Sequence, residues 1–211
     1  MTYLPKHFEE TSTDAMHQLV DRYPLACCVL QHEGELLVNH LPMLLDPDRG
    51  EHGMLVGHVA RANPMWQAAG SACVAVFQGP QAYVSPSFYP SKQEHGKVVP
   101  TWNYAVVHAH GSLQTFDQRD RLLALVTRLT ASHEAQQAAA WQVSDAPADY
   151  IDAMLKAIVG IEIPVQRWVG KFKTSQNRSN PDRLGVAAAL RAQATPQADA
   201  MAELVLRGIE P

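Results

Sequence analysis

VVPTWNYAVVHAHG, residues Val98–Gly111, packs an apolar run, a Trp, an Asn, a Tyr and two His into fourteen positions. Pro100 restricts Val99 to extended geometry and removes one backbone donor, so a strand starts or kinks there. From Thr101 to His110 the residues alternate loosely and are β-branched or aromatic. That pattern suits a strand with one face toward a core or a ligand. The neighbouring segments read as support for this strand.

Upstream, two proline-bearing stretches lead into it, Ala82–Pro90 (AYVSPSFYP) and the polar turn Ser91–Lys97. Before them, Ala72–Phe77 reads as a compact apolar strand, Gln78-Gly79-Pro80 as a turn and Gln81–Val84 as a further strand. Met54–Ala62 is a third apolar segment, and Met65–Ala69 a short helix with Pro64 in its first turn. Asp46–Gly53 is loop by composition. Leu25–Leu30 and Leu36–Leu45 form a hairpin about Glu33-Gly34-Glu35. A helix over Asp14–Arg22 precedes them, with Thr11 or Thr13 as its cap. Strand follows strand through tight turns as far as Leu113–Phe116, which favours an antiparallel barrel over βαβ units.

Downstream the character changes at Asp117. Residues 117–140 and 148–159 carry helical periodicity. Gly160–Pro164 and Val165–Val169 return to extended structure, and Gly170–Arg178 is a basic polar tract. Asp182–Gln193 and Ala198–Arg207 are helices split by Thr195-Pro196. The expected division is a main domain over residues 1–190, including the helices 117–140 and 148–159, with a helical extension over 191–211. The class is mainly β with peripheral helices (α+β).

The 211 residues are 46% hydrophobic and 18% charged, an ordinary globular balance with ample core. A net charge of −4 and a pI near 6.2 argue against a broadly basic nucleic-acid surface. Cys27, Cys28 and Cys73 give no even disulfide framework and read as reduced thiols of a cytoplasmic protein. Residues 1–11 lack an apolar signal-peptide core, and no run approaches membrane-spanning length. Neither a P-loop nor GxGxxG is present.

His108 and His110 lie two apart on a strand and share a side. A zinc site would need a third ligand from His40 or His58, and no Cys or carboxylate stands at a ligand spacing, so no metal is expected. Gly57–Pro64 (GHVARANP) sets His58, Arg61 and Asn63 at a strand end. The Arg fork suits phosphate or carboxylate, and Asn63 can cap the turn; equally, Arg61 is a surface charge and Asn63 a helix start. Ser85 and Ser87 flank Pro86 without a GxSxG elbow, so they serve as hydrogen-bonding groups rather than nucleophiles. Trp102 and Tyr104 alternate with Asn103, an aromatic wall beside an amide that fits a flat heteroaromatic ring or a plain core.

Taken together, YLPKHF, NHLPMLLD (39–46), GHVARANPMW (57–66), FQGPQAYVSPSFYPSK (77–92), VVPTWNYAVVHAHG and GIEIPVQRWVGKFKTSQNRS (160–179) resemble the PaiB family. That family comprises FMN-binding proteins named as negative transcriptional regulators of protease synthesis and sporulation. The resemblance implies an FMN-binding split β-barrel, a six-stranded Greek key with peripheral helices. It also implies a homodimer that binds FMN in a groove between subunits. By position it makes Arg61 the leading phosphate donor, with His58 and Asn63 beside it and His40 lining the groove. Ser85, Ser87, Trp102, Asn103 and Tyr104 would come from the opposite wall or the partner subunit, and Lys171 and Gln176 would stand near the dimer groove. DNA as a partner has no support from charge or motif. An alternative reading is a flavin-dependent oxidoreductase, of flavin reductase or haem-degrading type, on the same fold.

Overall fold

The computed structural model describes residues 2–209. In chain order its strands and helices begin with β1 (Glu9–Glu10), α1 (Thr13–Arg22), β2 (Leu25–His32), β3 (Glu35–Pro42), β4 (Leu44–Asp46), β5 (Met54–Ala60) and β6 (Ala72–Val84). There follow α2 (Ser91–His95), β7 (Thr101–Ser112), β8 (Gln114–Phe116), α3 (Arg119–Glu134) and α4 (Ala148–Lys156). The chain closes with β9 (Ile158–Lys173), α5 (Asn180–Arg191) and α6 (Pro196–Leu206). The hydrogen-bonded order is β3-β2-β6-β7-β9-β5-β4, with β1 and β8 also on β9. Among the described residues the path ends on β3 and β4, so the sheet is not closed. The mainly antiparallel class with peripheral helices agrees with the sequence, whereas among the described residues nine strands replace the expected six.

The chain forms two compact units. The first comprises residues 1–19, 78–107 and 169–211, the second residues 20–77 and 108–168.

In the second unit, β2 and β3 are joined by a two-residue turn. Glu33 (φ 50°) and Gly34 (φ 87°) both take positive φ, as a type I′ turn requires. Register runs from Leu25↔Pro42 to His32↔Glu35. The predicted single strand 36–45 is interrupted at Met43, whose N–H donates to the Pro24 carbonyl at 2.9 Å. Pairing then resumes in β4 with Leu44↔Val56. β5 pairs with β9 from Met54↔Pro164 to Ala60↔Ile158. Gly160, on that ladder, lies under the Phe116 ring, where a Cβ would stand 2.3 Å from Cζ. The core here is Val56, Phe116, Leu122, Leu125, Leu129 and Leu155, the buried faces of β5, β8, α3 and α4. Glu162, 8% exposed, is held by Arg49 and Arg121, each at 3.0 Å.

Helix α3 ends at Glu134, short of the predicted Ala140, although the next residues favour helix by propensity. The Glu134 carboxylate accepts the Trp141 N–H at 3.0 Å and folds the chain back. Helix α4 likewise stops at Lys156, because Ile158 and Val159 enter the β9 ladder instead. The tract read as two extended pieces and a basic loop is one sixteen-residue strand as far as Lys173.

In the first unit, residues read as the turn 78–80 lie inside β6. A Cβ at Gly79 would stand 2.8 Å from Leu19 Cδ1 and 3.3 Å from the Ala105 carbonyl, so the glycine serves close approach. α5 and α6 share a core of Val186, Leu190, Met201 and Val205 with Val84 and Tyr89 of the preceding chain. Their N-caps are Ser179 and Thr195, each with a proline in the first turn. Buried Arg183 closes the far end, donating to the Val205 carbonyl at 3.1 and 2.6 Å and to the Arg207 carbonyl at 2.8 Å. Buried Asp182 accepts from the N–H (3.1 Å) and hydroxyl (2.9 Å) of Ser91.

Candidate functional site

The eleven residues singled out by sequence divide between the units. His40, His58, Arg61 and Asn63 are in the second, and Ser85, Ser87, Trp102, Asn103, Tyr104, Lys171 and Gln176 in the first.

In the second unit, β5 ends at Ala60 and the chain turns into a short 3₁₀ segment, Pro64–Ala68. Asn63 holds that turn from both sides. Its Oδ1 accepts the Met65 N–H at 2.9 Å, and its Nδ2 donates to Asn39 Oδ1 of β3 at 2.7 Å. The two-sided amide ties the β5 exit to β3, and His40, adjacent to Asn39, is exposed. Arg61 is anchored by neutral groups. Nε donates to the Lys156 carbonyl at 2.9 Å and Nη2 to the Ile158 carbonyl at 3.1 Å. Its own carbonyl accepts from Trp66 Nε1 at 2.9 Å. The first of these answers a carbonyl left open at the end of α4, and the second holds the start of β9. The nearest carboxylate, Asp117, stands 3.9 Å away. Arg61 is thus a clamp on the α4–β9 junction whose charge is only loosely balanced.

His58 sits one turn back on β5, opposite Gly160. Its Nδ1 is buried with no partner, and burial holds the imidazole below the ordinary histidine range. His108 and His110 share a face of β7, ring centroids 6.3 Å apart. His110 Nε2 is also buried without a partner, and burial first, then the charges of Arg167 and His108, lowers its pKa. Among the described residues no three His, Cys, Asp or Glu converge as a metal site.

The second unit also carries an apolar sheet face. Leu25, Cys27 and Val29 of β2 pair with Pro42, His40 and Val38 of β3, and Gln31 with Leu36. Val74 and Val76 of β6 stand opposite Val29 and Cys27. Period two puts these on one side. Leu36 is 70% exposed, Leu25 59% and Val38 54%, whereas the alternate residues Ala26, Cys28 and Leu30 are buried.

In the first unit, β7 shows the predicted alternation. Trp102 is half-exposed and its Nε1 donates to Gln81 Oε1 at 3.0 Å, with Tyr83 6.2 Å away between ring centroids. Asn103 points the other way and is fully buried. Its Nδ2 donates to Ser175 Oγ at 2.9 Å, while its Oδ1 has no donor. Ser175 is held at φ 66°, a backbone conformation that sequence does not advertise for serine.

The basic tract is committed to aromatic and backbone partners. Lys171 donates to the Tyr3 carbonyl at 2.8 Å and lies 5.4 Å from the Tyr3 ring and 5.5 Å from that of Tyr104. Lys173 donates to Thr101 Oγ1 at 2.5 Å, and Arg178 lies 4.9 Å over the Tyr89 ring. Gln176 closes its own loop, accepting from the Thr174 N–H at 2.7 Å and donating to the Phe172 carbonyl. Ser85 caps the 3₁₀ turn Pro86–Phe88, and its hydroxyl is 2.7 Å from that of Ser87. Lys171 and Tyr104 therefore meet, and so do Ser85 and Ser87. Ser175 and Asn39, the partners of Asn103 and Asn63, were not singled out. Their pairings are not marked locally, since the contacts span 72 and 24 residues of sequence.

Residues 2–167 match the family model described as "Putative FMN-binding domain". The chain is 31% identical over 206 residues to the protease synthase and sporulation protein PAI 2 of Bacillus subtilis, covering 96% of both chains. Among solved structures it is similar to an FAD- and haem-binding protein of Mycobacterium smegmatis. That match has a TM-score of 0.54 at 18% identity, over 79% of this chain and 73% of the other. A flavocytochrome of Azotobacter vinelandii matches at 0.54 and 10% identity, over 85% and 74%. At such identities the two structures speak for the fold alone.

Proposed function

The chain belongs to the PaiB family of FMN-binding proteins, and from that premise we propose that it works as a cytoplasmic homodimer that takes FMN and acts in gene regulation. The observation that carries the dimer is the apolar face of β2, β3 and β6. Leu25, Leu36 and Val38 are each more than half exposed on one flat side, and a second copy of the same face would remove them from water together. Burying such a side chain stabilises by about 1.5–3 kcal/mol.

The residues present fit a flavin. On the phosphate side, the buried His58 Nδ1 lacks a partner among the described residues. An orphaned donor or acceptor of this kind suits the imide, carbonyl and phosphate edges of FMN. Arg61 keeps Nη1 clear of its two backbone contacts, which leaves a fork edge for a phosphate oxygen. His40, His58, Arg61 and Asn63 are the proposed phosphate-side contacts. From the resemblance, Ser85, Ser87, Trp102, Asn103 and Tyr104 are proposed contacts supplied by the partner subunit, with Lys171 and Gln176 near the dimer groove. FMN, when bound, supplies one- and two-electron redox chemistry; the side chains hold and orient it.

Light scattering combined with flavin absorbance tests the proposal. A dimer mass with one FMN per chain is expected; a monomer, or a dimer that takes no flavin, overturns it. The regulatory half is read by DNA mobility shift at low salt, where electrostatic contacts are strongest. A retarded band supports direct regulation. Without one, rapid anaerobic reduction of the flavin by NADPH would favour the reductase alternative.

A further inference from the structure

The early end of α3 creates a feature that the flavin reading does not use. The chain from Ala135 to Pro147 folds back over α3 toward α4 and borders an open cavity of about 700 Å³. That volume is in the range of small-molecule sites. Leu123 and Ala131 of α3, Ile151 of α4, and Trp141 and Val143 of the returning segment make its walls. Trp141 is 45% exposed.

The two charged side chains on the lining differ in how they are answered. Arg119 is fully engaged, with Nε and Nη2 on Asp152 Oδ1 (3.0 and 2.6 Å) and Nη1 on Asp120 Oδ1 (3.1 Å). Glu134 is half-buried and accepts only the backbone N–H of Trp141, through Oε2. Among the described residues it makes no ion pair. The cavity lining therefore carries one negative charge with no ion-pair partner among the described residues, together with the half-exposed Trp141, within largely apolar walls.

We propose that this cavity is a second binding site, separate from the flavin contacts, for a small amphipathic organic cation with an aromatic or alkyl body. The cationic head would meet the Glu134 carboxylate and the Trp141 ring face, and the body would fill the apolar remainder. A carboxylate and an aromatic face each favour a cation, and the pair selects against anions of the same shape. The returning segment that carries Trp141 is anchored by the Glu134 contact and by the reciprocal Gln142–Asp145 cap. Occupancy of the cavity would stiffen it, which gives the protein a place to sense such a molecule.

The test titrates benzyltriethylammonium into the full chain by calorimetry, with toluenesulfonate as an anion of similar size. Saturable binding of one cation per chain is expected, with the anion silent. Glu134→Gln should weaken the cation by roughly tenfold. Thr127→Trp, which fills the cavity, should abolish binding, and Trp141→Leu should weaken it while keeping the walls apolar. Flavin uptake should be unchanged in all three variants, so this proposal and the flavin reading can fail separately. No saturable binding, equal binding of the anion, or full binding by the Glu134→Gln and Thr127→Trp variants overturns the proposal. So does a change of molar mass on Thr127→Trp, which would mean that a second copy occupies the site.

Discussion

Asn103 and Ser175 are joined across β7 and the end of β9 by a 2.9 Å hydrogen bond from Nδ2 to Oγ, with both side chains buried. Asn103→Leu strands the serine hydroxyl without a partner and should cost about 1–3 kcal/mol. Adding Ser175→Ala removes the stranded group, so the double variant should be more stable than the sum of the singles, by about 0.5–3 kcal/mol. Urea unfolding of the four species measures this. Strict additivity would show that the bond contributes nothing specific.

Gly160 and Phe116 make a second close pairing. A methyl at Gly160 would fall 2.3–2.5 Å from three ring carbons. Gly160→Ala should therefore lower stability by about 1–3 kcal/mol, as overpacking does. Phe116→Leu in the same chain should recover part of that loss. Thermal melts read both, and an Ala variant with unchanged Tm would contradict the packing described.

Stability should fall on mild acidification. Burial holds His58 below the ordinary histidine range, and burial with Arg167 and His108 does the same for His110. As pH drops past about 6.5 the unfolded chain takes up protons that the folded chain refuses. The contribution of these histidines is therefore complete above that pH and is lost as pH falls toward their depressed folded values. Urea midpoints of flavin-free protein between pH 8 and pH 5, as an order-of-magnitude window, should decline less in His58→Gln, His110→Gln. An identical decline would remove these two side chains from the account.

The strand-rich order and the hairpin at Glu33–Gly34 were legible because period-two patterning and turn chemistry are local. So was the Trp102/Asn103/Tyr104 alternation. What was not legible came from distant packing. Gly79-Pro80 reads as a turn until Leu19 and the Ala105 carbonyl are seen pressing on it. The alanine-rich run after Glu134 reads as helix until Trp141 returns to the carboxylate. At the candidate site the residue types were readable but their partners were not. Arg61 suggests a phosphate fork in sequence, and only the fold brings the carbonyls of Lys156 and Ile158 to it. The tract 170–178 reads as a solvated face or a subunit contact, yet Lys171 and Lys173 are tied to Tyr3 and Thr101.

The β2–β3 face offers a direct check on assembly. Leu36→Glu with Val38→Glu places two charges on the exposed apolar side without touching the buried alternate residues. In the proposed homodimer, charges at the centre of a symmetric apolar contact would be unpaired twice over. Light scattering should show monomers that remain folded by circular dichroism. A variant that stays dimeric would move the interface elsewhere.

FMN binding is the claim on which the rest stands, and fluorescence titration of FMN and of riboflavin into flavin-stripped protein tests it most directly. Wild type should quench FMN fluorescence saturably. Arg61→Ala should weaken FMN by roughly tenfold or more, as loss of a charge-assisted contact does, and leave riboflavin, which lacks the phosphate, nearly unchanged. Saturable FMN binding with that selective loss is the predicted result; no quenching of FMN by the wild-type protein at any concentration would contradict the account.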